Sequence, residues 1–189
     1  FYLRVFLEDF WGAFRSSLME LIFSNKKTEK EILKFSLTSH FSVPFKNNNS
    51  LIQGDNLSAL SILLNEYNMA KKIDLIYIDP PFATNGTFSV GKNRTSTISA
   101  SSEDEVAYTD TILGEEFLEF LRERLIFARE LLSDYGSIYL HIDYKIGHYI
   151  KIIMDEIFGS ENFRNDITRI KCNPKNFSRK AYGNIKDLI

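Results

Sequence analysis

The densest chemistry in the sequence is four residues long: Asp79-Pro80-Pro81-Phe82 sets a carboxylate, a backbone carbonyl held by proline and an aromatic face side by side. That set suits an exocyclic amino group on a nucleobase. Such a nitrogen is a poor nucleophile because its lone pair is delocalised into the ring, and it attacks only after being turned toward tetrahedral geometry. Two acceptors, the Asp79 carboxylate and the Pro80 carbonyl, would each take one N–H and aim the lone pair at an electrophile. Phe82 offers a face to an extruded base, worth about 1–3 kcal/mol of stacking. The prolines restrict the backbone so that the acceptors stay in place.

The elements that must position this tetrad follow from patterning. Ile73-Asp74-Leu75-Ile76-Tyr77-Ile78 is the apolar run expected of a parallel strand buried on both faces, and it stops where proline can no longer donate to a ladder. Upstream, Leu51-Ile52-Gln53 reads as a short strand closed by the turn Gly54-Asp55-Asn56, with a helix over 57–67. Residues 84–102 contain nine Ser or Thr among nineteen and predict a mobile loop that could close over an extruded nucleotide. A helix is expected over 117–132, ended by Asp134-Tyr135-Gly136. A strand over 137–143 and a helix stopped by Gly159 come next. Strand and helix alternate, which predicts a doubly wound α/β sheet with its ligand at the carboxyl ends of the strands. At the N-terminus, Leu3, Phe6, Leu7, Phe10, Phe14, Leu18, Leu21 and Ile22 share one helical face, predicting a packed helix.

The tetrad with its flanks, Gly54-Asp55-Asn56-Leu57 upstream and Met154 to Arg164 downstream, resembles the amino-group DNA methyltransferases of the β arrangement. The type III restriction-modification modification subunits are the nearest of these. The resemblance covers 50–189 and implies an incomplete Rossmann-like, S-adenosylmethionine-dependent methyltransferase fold. Residues 1–49 would form an N-terminal helical extension to it. It implies S-adenosylmethionine as methyl donor, DNA as substrate and the N6 amino group of adenine as acceptor. Cytosine N4 is the alternative, disfavoured by aspartate rather than serine at the first tetrad position. By position, Asp79 and Pro80 orient the amine, Pro81 shapes the loop and Phe82 stacks on the flipped base. Asp55 and Asn56, with Asp79, fall where the family places part of the cofactor pocket; Asp55 or Asn56 as a helix N-cap is a compatible reading. His141 is read as a packed core histidine rather than a base, and Asp143 as a strand-end or turn residue. A restriction subunit or a second methyltransferase subunit is the implied protein partner, with no metal and a cytoplasmic location.

The family also grips its donor with an aromatic-x-Gly-x-Gly turn. The nine glycines here, at 12, 54, 86, 91, 114, 136, 147, 159 and 183, include no pair separated by one residue. In the β arrangement that turn lies near the C-terminus, beyond the target-recognition region. The sequence, which opens on Phe1, is therefore expected to be the N-terminal catalytic portion of a longer enzyme, inactive alone; a silent remnant that binds DNA or a partner is the competing expectation. Composition agrees with a globular chain. Its 189 residues are 44% hydrophobic and 25% charged, with net charge −2. The single Cys172 excludes an internal disulfide framework or a cysteine zinc site within this sequence. Near-neutral charge argues against holding nucleic acid by bulk attraction. Between Arg164 and Ile189, however, seven basic residues face two acidic ones. Within that stretch Lys171, Lys175, Arg179 and Lys180 are candidates for phosphate contact. No apolar run reaches the roughly 18 residues of a membrane span.

Overall fold

The computed structural model describes residues 2–5, 19–35, 49–80, 87–90, 105–109, 114–170 and 186–189. In chain order the elements are β1 (Tyr2–Val5), β2 (Met19–Ile22), α1 (Glu29–Leu33), α2 (Asn56–Asn65), β3 (Ile73–Ile78) and β4 (Thr87–Val90). They continue with β5 (Glu105–Thr109), α3 (Gly114–Leu131), β6 (Leu132–Leu140), α4 (Gly147–Phe158), β7 (Thr168–Ile170) and β8 (Lys186–Leu188). The architecture is mixed α/β. Among the described residues β3 pairs with β6 in parallel, and β1 with β2, β4 with β5 and β7 with β8 are antiparallel.

The parallel pair carries the geometry that matters. Ile76 lies opposite Ile138 and Ile78 opposite Leu140, and Ile78, Ile138 and Leu140 pack into the apolar cluster to which α2, α3 and α4 contribute. The other face is open rather than buried as the continuous apolar run predicts: Leu75, Tyr77 and Tyr139 are 62%, 58% and 41% exposed. Helices cover only one side of this pair among the described residues. The register slips once, where β6 advances from Leu132 to Ser137 while β3 advances from Ile73 to Leu75. Gly136 sits in that bulge, where an added Cβ would lie 2.7 Å from Leu132 Cδ1 and 2.9 Å from the Ile73 carbonyl oxygen. The bulge therefore needs glycine.

The expected stop at Asp134-Tyr135-Gly136 accordingly falls inside β6. Helix α3 ends earlier, at Leu131, because the backbone N–H groups of Lys71 and Lys72 donate to the carbonyls of Glu130 and Leu131 at 3.0 Å each. Those bonds satisfy the last turn without a glycine cap. Residues 51–53 form no strand; Leu51 is 94% exposed and has no ladder to join. Part of the expected loop over 84–102 is strand β4, paired with β5.

Helix α3 is the centre of the core. Its side chains Phe117, Leu118, Leu121, Leu125, Ile126, Phe127 and Ala128 are buried, because α1, α2 and α4 all pack on it. Each fully buried large side chain contributes about 1.5–3 kcal/mol. The N-terminal segment differs from the expected single helix over 3–22. At both described ends it is extended, with Leu3 opposite Leu21 and Arg4 opposite Glu20 in an antiparallel pair. The short alternations Leu3-Arg4-Val5 and Met19-Glu20-Leu21 fit a period of two as well as a helical face, and pairing decides between them.

Leu21, Phe23 and Ile32 join the same apolar cluster as α3 and α4, and a ladder of charges seals the contact. Lys26 reaches Glu20 at 2.9 Å and Glu156 at 2.8 Å. Arg122 donates to Glu119 at 3.3 Å and to the Lys27 carbonyl at 2.9 Å, with Glu156 3.6 Å from its Nε. Thr28 caps α1 in a reciprocal capping box with Glu31, and Arg129 grips Glu29 through both carboxylate oxygens. Burial pushes the Glu119 carboxyl up, opposed by the Lys27 amide and Arg122. No helix among the described residues is long and apolar enough to cross a membrane.

Arg122 is buried between two carboxylates, so Arg122→Ala leaves them without their shared partner. Urea unfolding of the chain is expected to show a loss of about 3–5 kcal/mol. A loss under about 1 kcal/mol, the range of an exposed pair, would contradict this role.

Candidate functional site

Two parallel strands ending side by side bring their next residues together. Beyond Ile78 comes Asp79, and beyond its register partner Leu140 comes His141. The His141 amide donates to the Ile78 carbonyl at 2.9 Å, and its ring Nδ1 lies 2.9 Å from Asp79 Oδ1. The two side chains are unlike in exposure: 9% for His141 and 61% for Asp79. Asp79 thus presents a carboxylate outward from an anchored inner oxygen, followed by the buried Pro80. Pro81 and Phe82 lie outside the described residues, as do Lys171, Lys175, Arg179 and Lys180.

Behind His141 stands a second carboxylate. Asp187 of β8 is fully buried, and its Oδ2 lies 3.5 Å from His141 Nε2 and 3.6 Å from Arg169 Nη1 of β7. Strand β8 reaches this position through a bridge to Ile142, with Leu188 and Ile142 exchanging backbone bonds of 2.8 and 3.0 Å. Gly147 allows the approach, since an added Cβ would meet Leu188 Cδ1 at 2.6 Å. The imidazole therefore lies between carboxylates from two distant parts of the chain. Sequence reading placed His141 in the core, and it is buried there. The contact with Asp79 escaped that reading, although the alignment of two strand ends was the signal that could have found it.

Asp143 is the turn residue expected: its Oδ1 accepts from the Lys145 amide at 2.7 Å, and its carbonyl accepts from Gly147 at the start of α4. Asp55 caps α2. Its Oδ1 accepts from the Ser58 amide at 2.9 Å and hydroxyl at 2.7 Å, while Oδ2 accepts from Arg124 Nη2 at 3.2 Å. Arg124 also donates through Nε to Asn56 Oδ1 at 2.6 Å and lies over the Phe120 ring, 3.5 Å from its centroid. Burial raises the Asp55 carboxyl, but Ser58 and Arg124 outweigh it and hold the group below its ordinary value. Asp55 and Asn56 make no hydrogen bond or ion pair with Asp79 among the described residues. A groove of about 1160 Å³ runs beside β6 and α4, lined by Ser137, Tyr139, Lys151, Asp155 and others, and includes neither Asp79 nor His141. The described residues contain no group of three or more His, Cys, Asp or Glu placed to hold a metal ion.

Comparison with known proteins places this geometry in context. Residues 73–189, which include β3, Asp79 and His141, match the N6_N4_Mtase family model, described as DNA methylase. The chain is 43% identical over 141 residues to the type II methyltransferase M.EcaI of Enterobacter cloacae, a match covering 75% of this chain and 28% of that protein. It is 38% identical over 128 residues to the type II methyltransferase M.KpnI of Klebsiella pneumoniae, covering 67% and 27%. With the type III restriction-modification enzyme StyLTI Mod subunit of Salmonella typhimurium it shares 34% identity over 134 residues, covering 65% and 20%. The match thus spans between a fifth and three tenths of the length of these relatives.

The Asp55 cap gives a prediction with a definite sign. Its folded-state pKa is lowered from 3.8, so its stabilisation is fully present above that value. On acidification the unfolded chain takes up the proton first, and the contribution is lost as pH falls through the depressed folded value. Thermal melts of Asp55→Ala should therefore run lower than the parent near neutral pH, by an amount equivalent to about 1 kcal/mol. The gap should narrow as pH falls through the carboxyl's depressed value; a gap independent of pH would contradict the charge's part in the cap.

Proposed function

Because the chain belongs to the DNA methylase family, we propose that the Asp79-Pro80 strand end orients the N6 amino group of adenine in DNA for methylation. The observation that supports it most is the outward, 61% exposed Asp79 carboxylate at the end of β3, tied by Oδ1 to His141. With that oxygen engaged, the other carboxylate oxygen is available to one amine N–H, and the Pro80 carbonyl to the second. Held by both, the nitrogen directs its lone pair away from the base plane. When bound, S-adenosylmethionine supplies an electrophilic methyl carbon. Asp79 and Pro80 would hold the nitrogen toward that carbon, and nearby acceptors or water would take the proton that the nitrogen gives up on methylation. Pro81 shapes the loop, and Phe82 stacks on the flipped base.

Asp55 fits a place at the edge of the donor pocket. More than half of its side chain is exposed, and lone pairs remain beyond those used by Ser58 and Arg124. Asn56, whose carbonyl oxygen is taken by Arg124, retains an amide N–H₂ for the same purpose. The two supply only part of a grip, since the sequence has no turn with glycines one residue apart. We assign residues 50–189 to the catalytic portion of an incomplete Rossmann-like domain of the β arrangement. Lys171, Lys175, Arg179 and Lys180 are assigned to DNA backbone contact. Names of the relatives support a role in a restriction-modification system, with a restriction or second methyltransferase subunit as partner in the cytoplasm.

In the full-length gene product, Asp79→Ala should lower the rate of methyl transfer from labelled S-adenosylmethionine to DNA by about 10²–10³-fold, the cost of losing one oriented polar group at the reacting atom. Wild-type activity in that variant would sink the assignment. Calorimetry of the 189-residue chain with S-adenosylmethionine should give a Kd weaker than about 0.1 mM. Micromolar binding would mean that these residues hold the donor without a Gly-rich turn.

A further inference from the structure

His141 has a place in the site that its burial alone does not explain. A buried imidazole satisfied by the backbone would need only one acceptor, yet each ring nitrogen here faces a carboxylate: Nδ1 at 2.9 Å from Asp79 and Nε2 at 3.5 Å from Asp187. Asp79 follows β3 and Asp187 belongs to β8, so the ring bridges elements more than 100 residues apart in sequence. Asp187 is fully buried, and a buried carboxylate is tolerated only beside donors or cations, here His141 and Arg169. Exposed aspartate side chains sample several rotamers, and an aspartate that must hold an amine in one orientation needs one of them selected.

We infer that His141 is the positioning residue for Asp79, donating from Nδ1 to Oδ1 while Asp187, seated by β8 and sharing a proton with Nε2, fixes the plane of the ring. The inference deepens the amine-orienting reading of Asp79 and rests on it. Docking of β8 against Ile142 thereby sets the direction of a carboxylate on a different strand. His141 does not touch the substrate; it acts only through Asp79.

The test uses two polar replacements in the full-length gene product. In His141→Asn the amide nitrogen can take the place of Nδ1, whereas in His141→Gln the donor moves toward the position of Nε2. His141→Gln should lower kcat by about 10²-fold, the scale of a misplaced orienting group, with KM for DNA and for S-adenosylmethionine changed less than about threefold. His141→Asn should stay within about tenfold of wild type, and adding His141→Gln to Asp79→Ala should cost nothing more. Equal losses in the two variants, or wild-type kcat in His141→Gln alongside an inactive Asp79→Ala, would overturn the role of His141 while leaving the Asp79 reading intact. An active Asp79→Ala would remove both. Should His141→Gln fail to fold, a folded but inactive His141→Asn is by itself sufficient to reject the proposal.

Discussion

The register between β3 and β6 decides which side chains meet at the carboxyl ends of these strands. Parallel strands end on the same side, and the pairing of Ile78 with Leu140 makes the next residue of each strand a neighbour of the other. That neighbour pair is Asp79 and His141. The register itself depends on the bulge at Gly136, where any larger residue would strike Leu132 and the Ile73 carbonyl. Gly136, on the same strand that leads into His141, thus belongs to the same geometric chain as the exposed carboxylate.

What keeps the strand pair in place is α3, buried on almost every side, with three further helices around it. Burying a helix all round demands that its polar side chains also be satisfied. Glu119, Arg122 and Arg124 meet that demand in different ways: the first two reach the segment around Lys27, and the third binds the cap of α2 and the Phe120 ring. Such paired buried charges add little net stability over apolar residues but make the docking of their partners specific. The segment around α1 and the turn before α2 are therefore tied to the same helix that supports the site.

Much of this was legible in the sequence, and the exceptions have physical causes. The apolar run of β3, the periodic face of α3, the Asp55 cap and the Asp143 turn are local signals, and each appears where its residues place it. The supposed strand at 51–53 fails because three apolar residues without a ladder partner have nothing to pair with. The end of α3 was misplaced because its last carbonyls are satisfied by Lys71 and Lys72, a tertiary contact with no local mark. The N-terminal segment is rich enough in apolar residues to fit either period, and cross-strand pairing chose the extended form at its described ends. The contact of His141 with Asp79 depends on register between strands some 60 residues apart, and its contact with β8 on the Ile142–Leu188 bridge to a third element. Of the tetrad, Asp79 and Pro80 follow directly on the end of β3, where the apolar run stops, because a strand's end is marked locally by the proline that cannot donate to its ladder.

Taken together, an exposed carboxylate with a buried imidazole behind it, in a chain of the DNA methylase family, makes an amine-orienting strand end the centre of the account. Nucleoside mass spectrometry of DNA treated with the full-length gene product and S-adenosylmethionine tests it most directly. The account predicts N6-methyladenine; N4-methylcytosine as the sole product, or a methyl group on a ring carbon, would contradict it.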